Sequence, residues 1–227
     1  MSKISFFKNI RNTTVPYVID IDEALRWIKE GKYREAVDLV RYEAFKPKQD
    51  ELKKELPLFL FSGVFKTRSI AGLESHSGFI CLDFDKFKTK EEMAICKNEL
   101  SKLDYIYAVF ASPTDTGLKA LVKIPPMAGK HSLYFEALAN ELSPKFPQFD
   151  LLTKDVSRAC FVTYDLDAHI NKDAVVWEAY EEPDLADLVT EEVLVPLKTA
   201  SVIMKRLYSW WTSKYGLKKG ERNHNCY

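Results

Sequence analysis

The sequence predicts an α+β fold: a mixed or antiparallel sheet that carries helices on one face. Three observations lead there. Short apolar runs at 78–84, 105–112, 118–125 and 157–165 have strand length and are rich in β-branched and aromatic residues. Segments 22–44, 89–103 and 130–146 repeat apolar residues at helical spacing. From residue 78 to 165 these runs alternate as strand, helix, strand, loop, strand, helix, strand, and that interleaving is the mark of a sheet with packed helices.

Each element has a local reason. Ala24, Leu25, Ile28, Ala36, Val37 and Val40 share a helical face, which predicts one helix, or two separated near Gly31. "LPLFLFSGVF" (56–65) is a short strand or extended segment with a glycine break. In 89–103, Thr89 can cap the helix and Glu91 and Glu92 suit its first turn, while Met93, Cys96, Leu100 and Leu103 form the apolar stripe. The helix over 130–146 is expected to stop at Pro147. Residues 181–197 have the composition of an acidic linker, and 198–215 that of an amphipathic helix carrying Trp210 and Trp211.

The bulk numbers exclude several classes. The chain has 227 residues, 46% hydrophobic and 29% charged, with no apolar run near the ~20 residues that span a bilayer. The start has no signal-peptide core, and Cys81, Cys96, Cys160 and Cys226 form neither a CxxC pair nor a Cys/His cluster. A reducing, cytoplasmic setting with no membrane partner is therefore expected. Thirty-three basic residues balance 33 acidic ones. Zero net charge argues against coating nucleic acid through bulk charge, but leaves room for a local basic groove.

Three constellations carry chemistry. In "SGFICLDFDKF" (77–87), Asp83 and Asp85 stand two apart on a strand and so face one side. Paired carboxylates suit Mg²⁺ or Mn²⁺, hard ions that take oxygen ligands; the bland reading is a strand end where Asp85 begins a turn. "SPTDTGLKALVKI" (112–124) places Ser112, Thr114, Thr116 and Gly117 in a tight loop before a strand bearing Lys119. Backbone amides and a lysine can hold a triphosphate, although a hairpin loop with a solvated lysine fits as well. Lys123 reads as a surface lysine. In "QFDLLTKDVSRACFVTYD" (148–165), Asp150 could complete a metal site and Arg158 could pair with phosphate; alternatively Asp150 caps a turn and Arg158 pairs with Asp155. His131 and His169 read as surface or satisfied histidines. Tyr105, Tyr107 and Phe110 read as sheet core.

Taken in order, these motifs resemble the archaeo-eukaryotic primase (primase-polymerase) superfamily. "LDFD" matches its Asp-x-Asp/Glu motif. "GLK", Gly117 to Lys119, stands where relatives have Ser-x-His, and "FD", Phe149-Asp150, matches the third motif, with Arg158 downstream. "KKELPLFLFSGVF", "HSGFICLDFDKF", "ASPTDTGLKALVKIP" and "KDVSRACFVTYDLDAHIN" are similar to the VirE N-terminal-type branch found in bacterial mobile elements and beside CRISPR adaptation genes. The resemblance spans about residues 50–172 and takes in His76 and Ser77, where His76 could contact substrate or hydrogen-bond a loop.

The resemblance implies a catalytic core over 1–180, with an N-terminal α/β subdomain to about 75 and an RRM-like metal-binding part over about 76–180. Residues 181–227 would lead into a truncated C-terminal helical module. It implies a DNA-replication enzyme that binds Mg²⁺ or Mn²⁺ through Asp83, Asp85 and Asp150, and nucleoside triphosphates through Lys119, Arg158 and the 112–117 loop. The substrate would be a single-stranded or primed DNA template. Lysine in place of histidine departs from the pattern; it can still contact phosphate as a point charge, without the dual donor and acceptor chemistry of imidazole. Two rivals stay open: a DxD metal-dependent phosphohydrolase, and a catalytically inert nucleic-acid-binding or replication-initiation module with the primase fold.

Overall fold

A computed structural model describes residues 2–14 and 16–181. The acidic linker, the tryptophan-bearing helix, Cys226 and the C-terminal module expected from sequence lie outside these residues. The architecture is α+β, built on antiparallel sheets.

The first sheet has the order β2-β1-β3-β9, from Tyr17–Asp20, Lys3–Phe7, Leu58–Leu60 and Cys160–Phe161. Alternation along β1 explains its two faces. Ile4 and Phe6 join a core with helices α1 (Ile21–Glu30) and α2 (Arg34–Arg41), whereas Phe7 joins Leu58, Leu60, Phe65 and Val156 on the other side. The helical run from 22 divides where expected. Gly31 ends α1 at φ 74°, a left-handed conformation that costs glycine little. Helix α3 (Lys46–Glu55) follows, and a hairpin of β4 (Gly63–Phe65) and β5 (Leu73–His76) leads to the second sheet.

The second sheet has the order β10-β7-β8-β6, from His169–Ile170, Ile106–Ala111, Leu118–Lys123 and Phe79–Phe84. Because β8 lies antiparallel between β6 and β7, those two strands run parallel, joined through α4 (Lys90–Ser101) as a split β-α-β unit. Thr89 caps α4 as expected, its hydroxyl accepting from the Glu92 N–H at 3.1 Å. Ile80, Leu82 and Phe84 of β6 face α4 and α5 (His131–Leu142), while Phe79 and Cys81 face the first sheet's core. Helix α5 ends before Pro144, earlier than Pro147.

The strand expected over 157–165 contracts to Cys160–Phe161. Beyond β3 its backbone bonds elsewhere: the Val162 N–H to the Pro57 carbonyl and the Asp165 N–H to the Ile28 carbonyl. Lys123 is not a free surface lysine, since it donates to the Lys172 and Ala174 carbonyls and ties down the segment after β10. Tyr105, Tyr107 and Phe110 are core residues. Among the described residues no helix is long and apolar enough to cross a membrane.

Candidate metal centre

The two aspartates of β6 acquire their third partner through a short edge pairing. Phe149 bridges Phe84 in antiparallel sense, with the Asp150 N–H bonded to the Asp83 carbonyl and the Asp85 N–H to the Gln148 carbonyl, each at 2.8 Å. Alternation then sorts the side chains. Phe84 and Phe149 pack ring against ring, 5.2 Å between centroids, in the helix-side core. Asp83, Asp85 and Asp150 gather, and each offers a carboxylate oxygen within 4.8 Å of the others. Three carboxylates in this arrangement could hold a metal ion. An all-oxygen donor set fits a hard divalent cation.

Asp83 is 2% exposed, and two cations share its Oδ2: Lys119 Nζ at 2.6 Å and Arg158 at 3.1 Å. Lys119 reaches it because β8 sets residue 119 directly opposite residue 83. Burial works against the Lys119 ammonium, yet Asp83, with smaller help from the Cys160 and Cys81 thiols, holds its pKa above the ordinary lysine value. Arg158 follows the same pattern, opposed by burial and favoured by Asp83 and then Asp150. Its side-chain partner is therefore Asp83; toward Asp155 only its backbone N–H bonds, to the carbonyl. Asp83 Oδ1 and the Asp85 carboxylate accept no hydrogen bond among the described residues. Asp150 spends one oxygen, Oδ1, on the Leu152 N–H. Its cap and its place in the cluster thus coexist.

Gly117 explains how the loop meets the cluster. A Cβ built there would lie 2.2 Å from Asp85 Oδ1 and 2.8 Å from the Phe84 carbonyl, so only a residue without a side chain lets the carboxylate sit. The loop spends several of its own donors: Asp115 N–H on the Ser112 carbonyl and Gly117 N–H on the Ser112 hydroxyl. The Ser112, Thr114 and Thr116 hydroxyls form a chain of hydrogen bonds. Of the four amides in 114–117 that leaves, among the described residues, the Thr114 and Thr116 N–H groups for an anion.

Arg41, which sequence reasoning missed, braces this loop from α2. Its guanidinium donates to the carbonyls of Pro113 at 3.3 Å, Ser112 at 3.4 Å and Tyr164 at 2.8 Å, and to the Thr163 hydroxyl at 3.3 Å, with its face on the Tyr164 ring. No sequence signal distinguishes it from other helical arginines.

His76 stands apart from the cluster in its bonding. Its Nδ1 accepts from the Gly78 N–H and its Nε2 lies 3.0 Å from His131 Nδ1. A backbone N–H can only donate, so the neutral His76 carries its proton on Nε2 and gives it to His131. Both ring nitrogens are occupied, which makes His76 a structural residue here. His131 is buried, and burial pushes the pKa of His76 down to about 4 and, with the neighbouring His76, that of His131 to about 3.

The family model of the BT4734-like N-terminal domain matches residues 51–169, just over half of the chain. The match takes in all three carboxylates, the 112–117 loop, Lys119 and Arg158. Comparison with curated proteins and with solved structures gives no match.

Proposed function

This chain belongs to the BT4734-like N-terminal domain family, and we propose that it is a template-dependent nucleotidyltransferase. It would be a primase-polymerase that adds nucleoside triphosphates on single-stranded DNA using Mg²⁺ or Mn²⁺. The observation that carries this reading is the convergence of Asp83, Asp85 and Asp150, their oxygens within 4.8 Å, around a carboxylate already held by Lys119 and Arg158. The split β-α-β order of the second sheet is in keeping with an RRM-like catalytic half.

The chain's residues divide the work. Asp83 Oδ1, Asp85 and Asp150 Oδ2 are the oxygens left to coordinate. A divalent ion bound there would lower the pKa of a 3′-hydroxyl and offset charge developing on the phosphates. Lys119 and Arg158 fix Asp83 through Oδ2 and would turn their remaining donors toward the triphosphate. The Thr114 and Thr116 amides would take further phosphate oxygens. No protein nucleophile is needed, because the attacking group belongs to the primer or the initiating nucleotide. A C-terminal helical module, or replication and CRISPR adaptation proteins, would be its partners.

One observation favours the inert-module reading. The Lys119 ammonium, 2.6 Å from Asp83, occupies a carboxylate that the metal needs. Incorporation of labelled nucleotides on a single-stranded template, with and without primer, in Mg²⁺ and in Mn²⁺, separates the two. Product that disappears in Asp83→Ala and Asp85→Ala supports the transferase. Template binding without product under every condition supports the inert module.

A further inference from the structure

The turn that carries Asp150 shows two leucines to solvent. It is held at both ends: Phe149 lies in the helix-side core, and Thr153, 1% exposed, donates from its hydroxyl to the Asp150 carbonyl at 3.0 Å. Between them the Leu152 N–H donates to Asp150 Oδ1, also at 3.0 Å, which sets the Leu152 backbone directly against the third carboxylate of the candidate metal centre. Leu151 is 57% exposed and Leu152 87%, so a turn clamped by its neighbours holds two large apolar side chains out of the core. The clamp is made by the backbone, Asp150 and Thr153, and does not call for leucine at either position. Fully burying one such side chain is worth about 1.5–3 kcal/mol, which the fold forgoes here.

The centre is thus cationic on one flank and apolar on the other. At Asp83, Lys119 Nζ and Arg158 converge on one oxygen, at 2.6 and 3.1 Å. At Asp150 the bond comes from a backbone N–H, and no side-chain cation bonds this carboxylate among the described residues. Arg158 feels the charge of Asp150 but bonds to Asp83, and Lys154, the next cation along the turn, pairs with Glu136 of α5 at 3.5 Å. A nucleoside triphosphate has the same division, with an anionic chain at one end and the broad faces of sugar and base at the other. A nucleotide whose phosphates lie at the metal, Lys119 and Arg158 has to rest its nucleoside on another wall of the cluster. The 150–153 turn is a wall that offers apolar surface.

We propose that Leu151 and Leu152 form the nucleoside side of the site and pack against the sugar and base of the incoming nucleotide, so that the two flanks of the cluster set the direction in which it lies. This inference rests on the nucleotidyltransferase reading. Apolar contact of this kind is blind to which base is present, because every base has a π-face, and a template-directed enzyme requires that tolerance. The leucines act by packing alone, and neither takes part in the reaction.

The test is calorimetric titration of the full chain with ATP, dATP and inorganic tripolyphosphate in Mg²⁺, comparing wild type with Leu151→Ser/Leu152→Ser and Leu151→Met/Leu152→Met. Loss of the apolar contact predicts about tenfold weaker binding of ATP and dATP in the serine variant, and recovery of most of it in the methionine variant. Tripolyphosphate, which has neither sugar nor base, should bind all three proteins alike. Mn²⁺ binding without nucleotide should also hold, because the bond from residue 152 to Asp150 is made by the backbone. Should the serine variant melt, Leu152→Ser alone takes its place. Wild-type affinity for ATP and dATP in a folded serine variant overturns this inference and leaves the transferase reading standing. An equal loss for tripolyphosphate overturns it too, since that would mean a displaced Asp150. Failure of wild type to bind any of the three ligands removes the transferase reading, and the inference with it.

Discussion

Replacing Lys119 with Met tests whether Asp83 is a metal ligand. Lys119 is nearly isosteric with Met, its side chain is 13% exposed, and it meets a carboxylate that is 3% exposed at 2.6 Å. Breaking a buried ion pair costs about 3–5 kcal/mol, since the surviving charge stays in the interior. Arg158 remains on the same oxygen at 3.1 Å, which places the expected loss near the lower end, about 3 kcal/mol. For a protein of this size that is a drop of roughly 6–12 °C in Tm. The ammonium also repels any cation drawn to Asp83. One unit charge at about 4 Å and an effective dielectric of about 20 is worth up to about 4 kcal/mol, so its removal should tighten Mn²⁺ binding at least tenfold. Mn²⁺ at about a hundred times its Kd adds about 2.7 kcal/mol to stability, enough to close most of the gap in Tm. Thermal melts with and without Mn²⁺, together with an electron paramagnetic resonance titration, read both quantities. Unchanged or weaker Mn²⁺ binding by a folded Lys119→Met protein would refute the assignment of Asp83. Tighter binding with undiminished nucleotide incorporation would keep the metal site and remove Lys119 from the triphosphate contacts.

Three further outcomes follow from the geometry. Gly117→Ala brings a methyl group 2.2 Å from Asp85 Oδ1; overpacking of this kind costs about 1–3 kcal/mol, and Mn²⁺ affinity should fall at least tenfold, whereas wild-type affinity would mean Asp85 is dispensable. The histidine pair makes stability pH-dependent. Their folded pKa values of about 4 and about 3 lie below the unfolded value of about 6.5, so their contribution is present above pH 6.5 and lost as pH falls toward 4. The slope below pH 6.5 should reach roughly 1.4 kcal/mol per pH unit for each histidine; urea melts of wild type and His76→Gln/His131→Gln measure it, and equal slopes would contradict the pair. Arg41→Met removes four hydrogen bonds, so amide exchange at 112–115 and 163–165 should quicken and nucleotide affinity fall while Mn²⁺ binding holds. Unchanged exchange would show that the loop supports itself.

Periodicity reads the second sheet well and the first poorly. β6, α4, β7, β8 and α5 each present an apolar face to a core, so their sequences carry the period that packing requires. Helix α3 buries no residue fully, and a helix rich in lysine, with Leu52 as its anchor, has no stripe to detect. β1 and β2 are short, and β2 buries only Ile19, so neither carries enough residues for a period to show. The site divides the same way. Asp83 and Asp85 are visible because strand alternation places them on one side. Asp150 becomes their neighbour through an edge bridge at Phe84–Phe149, a contact across 65 residues that composition does not encode. Arg41 is invisible for a different reason: what separates it from other basic residues is the presence of four acceptors around its guanidinium.

Lysine at 119, where the resemblance to primases would place histidine, sets the charge balance of the site. Asp83, Asp85 and Asp150 bring three negative charges, and Lys119 and Arg158 bring two positive ones. A neutral imidazole at 119 would leave the buried Asp83 with Arg158 as its partner, and the centre one charge more negative, so a metal would be needed for stability as well as for reaction. With lysine the centre carries one net negative charge before any ion binds. A divalent cation would then leave it one charge positive, a state that the low-polarity junction of the sheets supports poorly until a polyphosphate arrives. Metal and nucleotide should therefore each raise the affinity for the other, as linkage requires of any coupled pair of ligands. On the nucleotidyltransferase reading such a site would favour the metal–nucleotide complex over either component alone, and the lysine that should weaken metal binding in isolation would make the pair bind together.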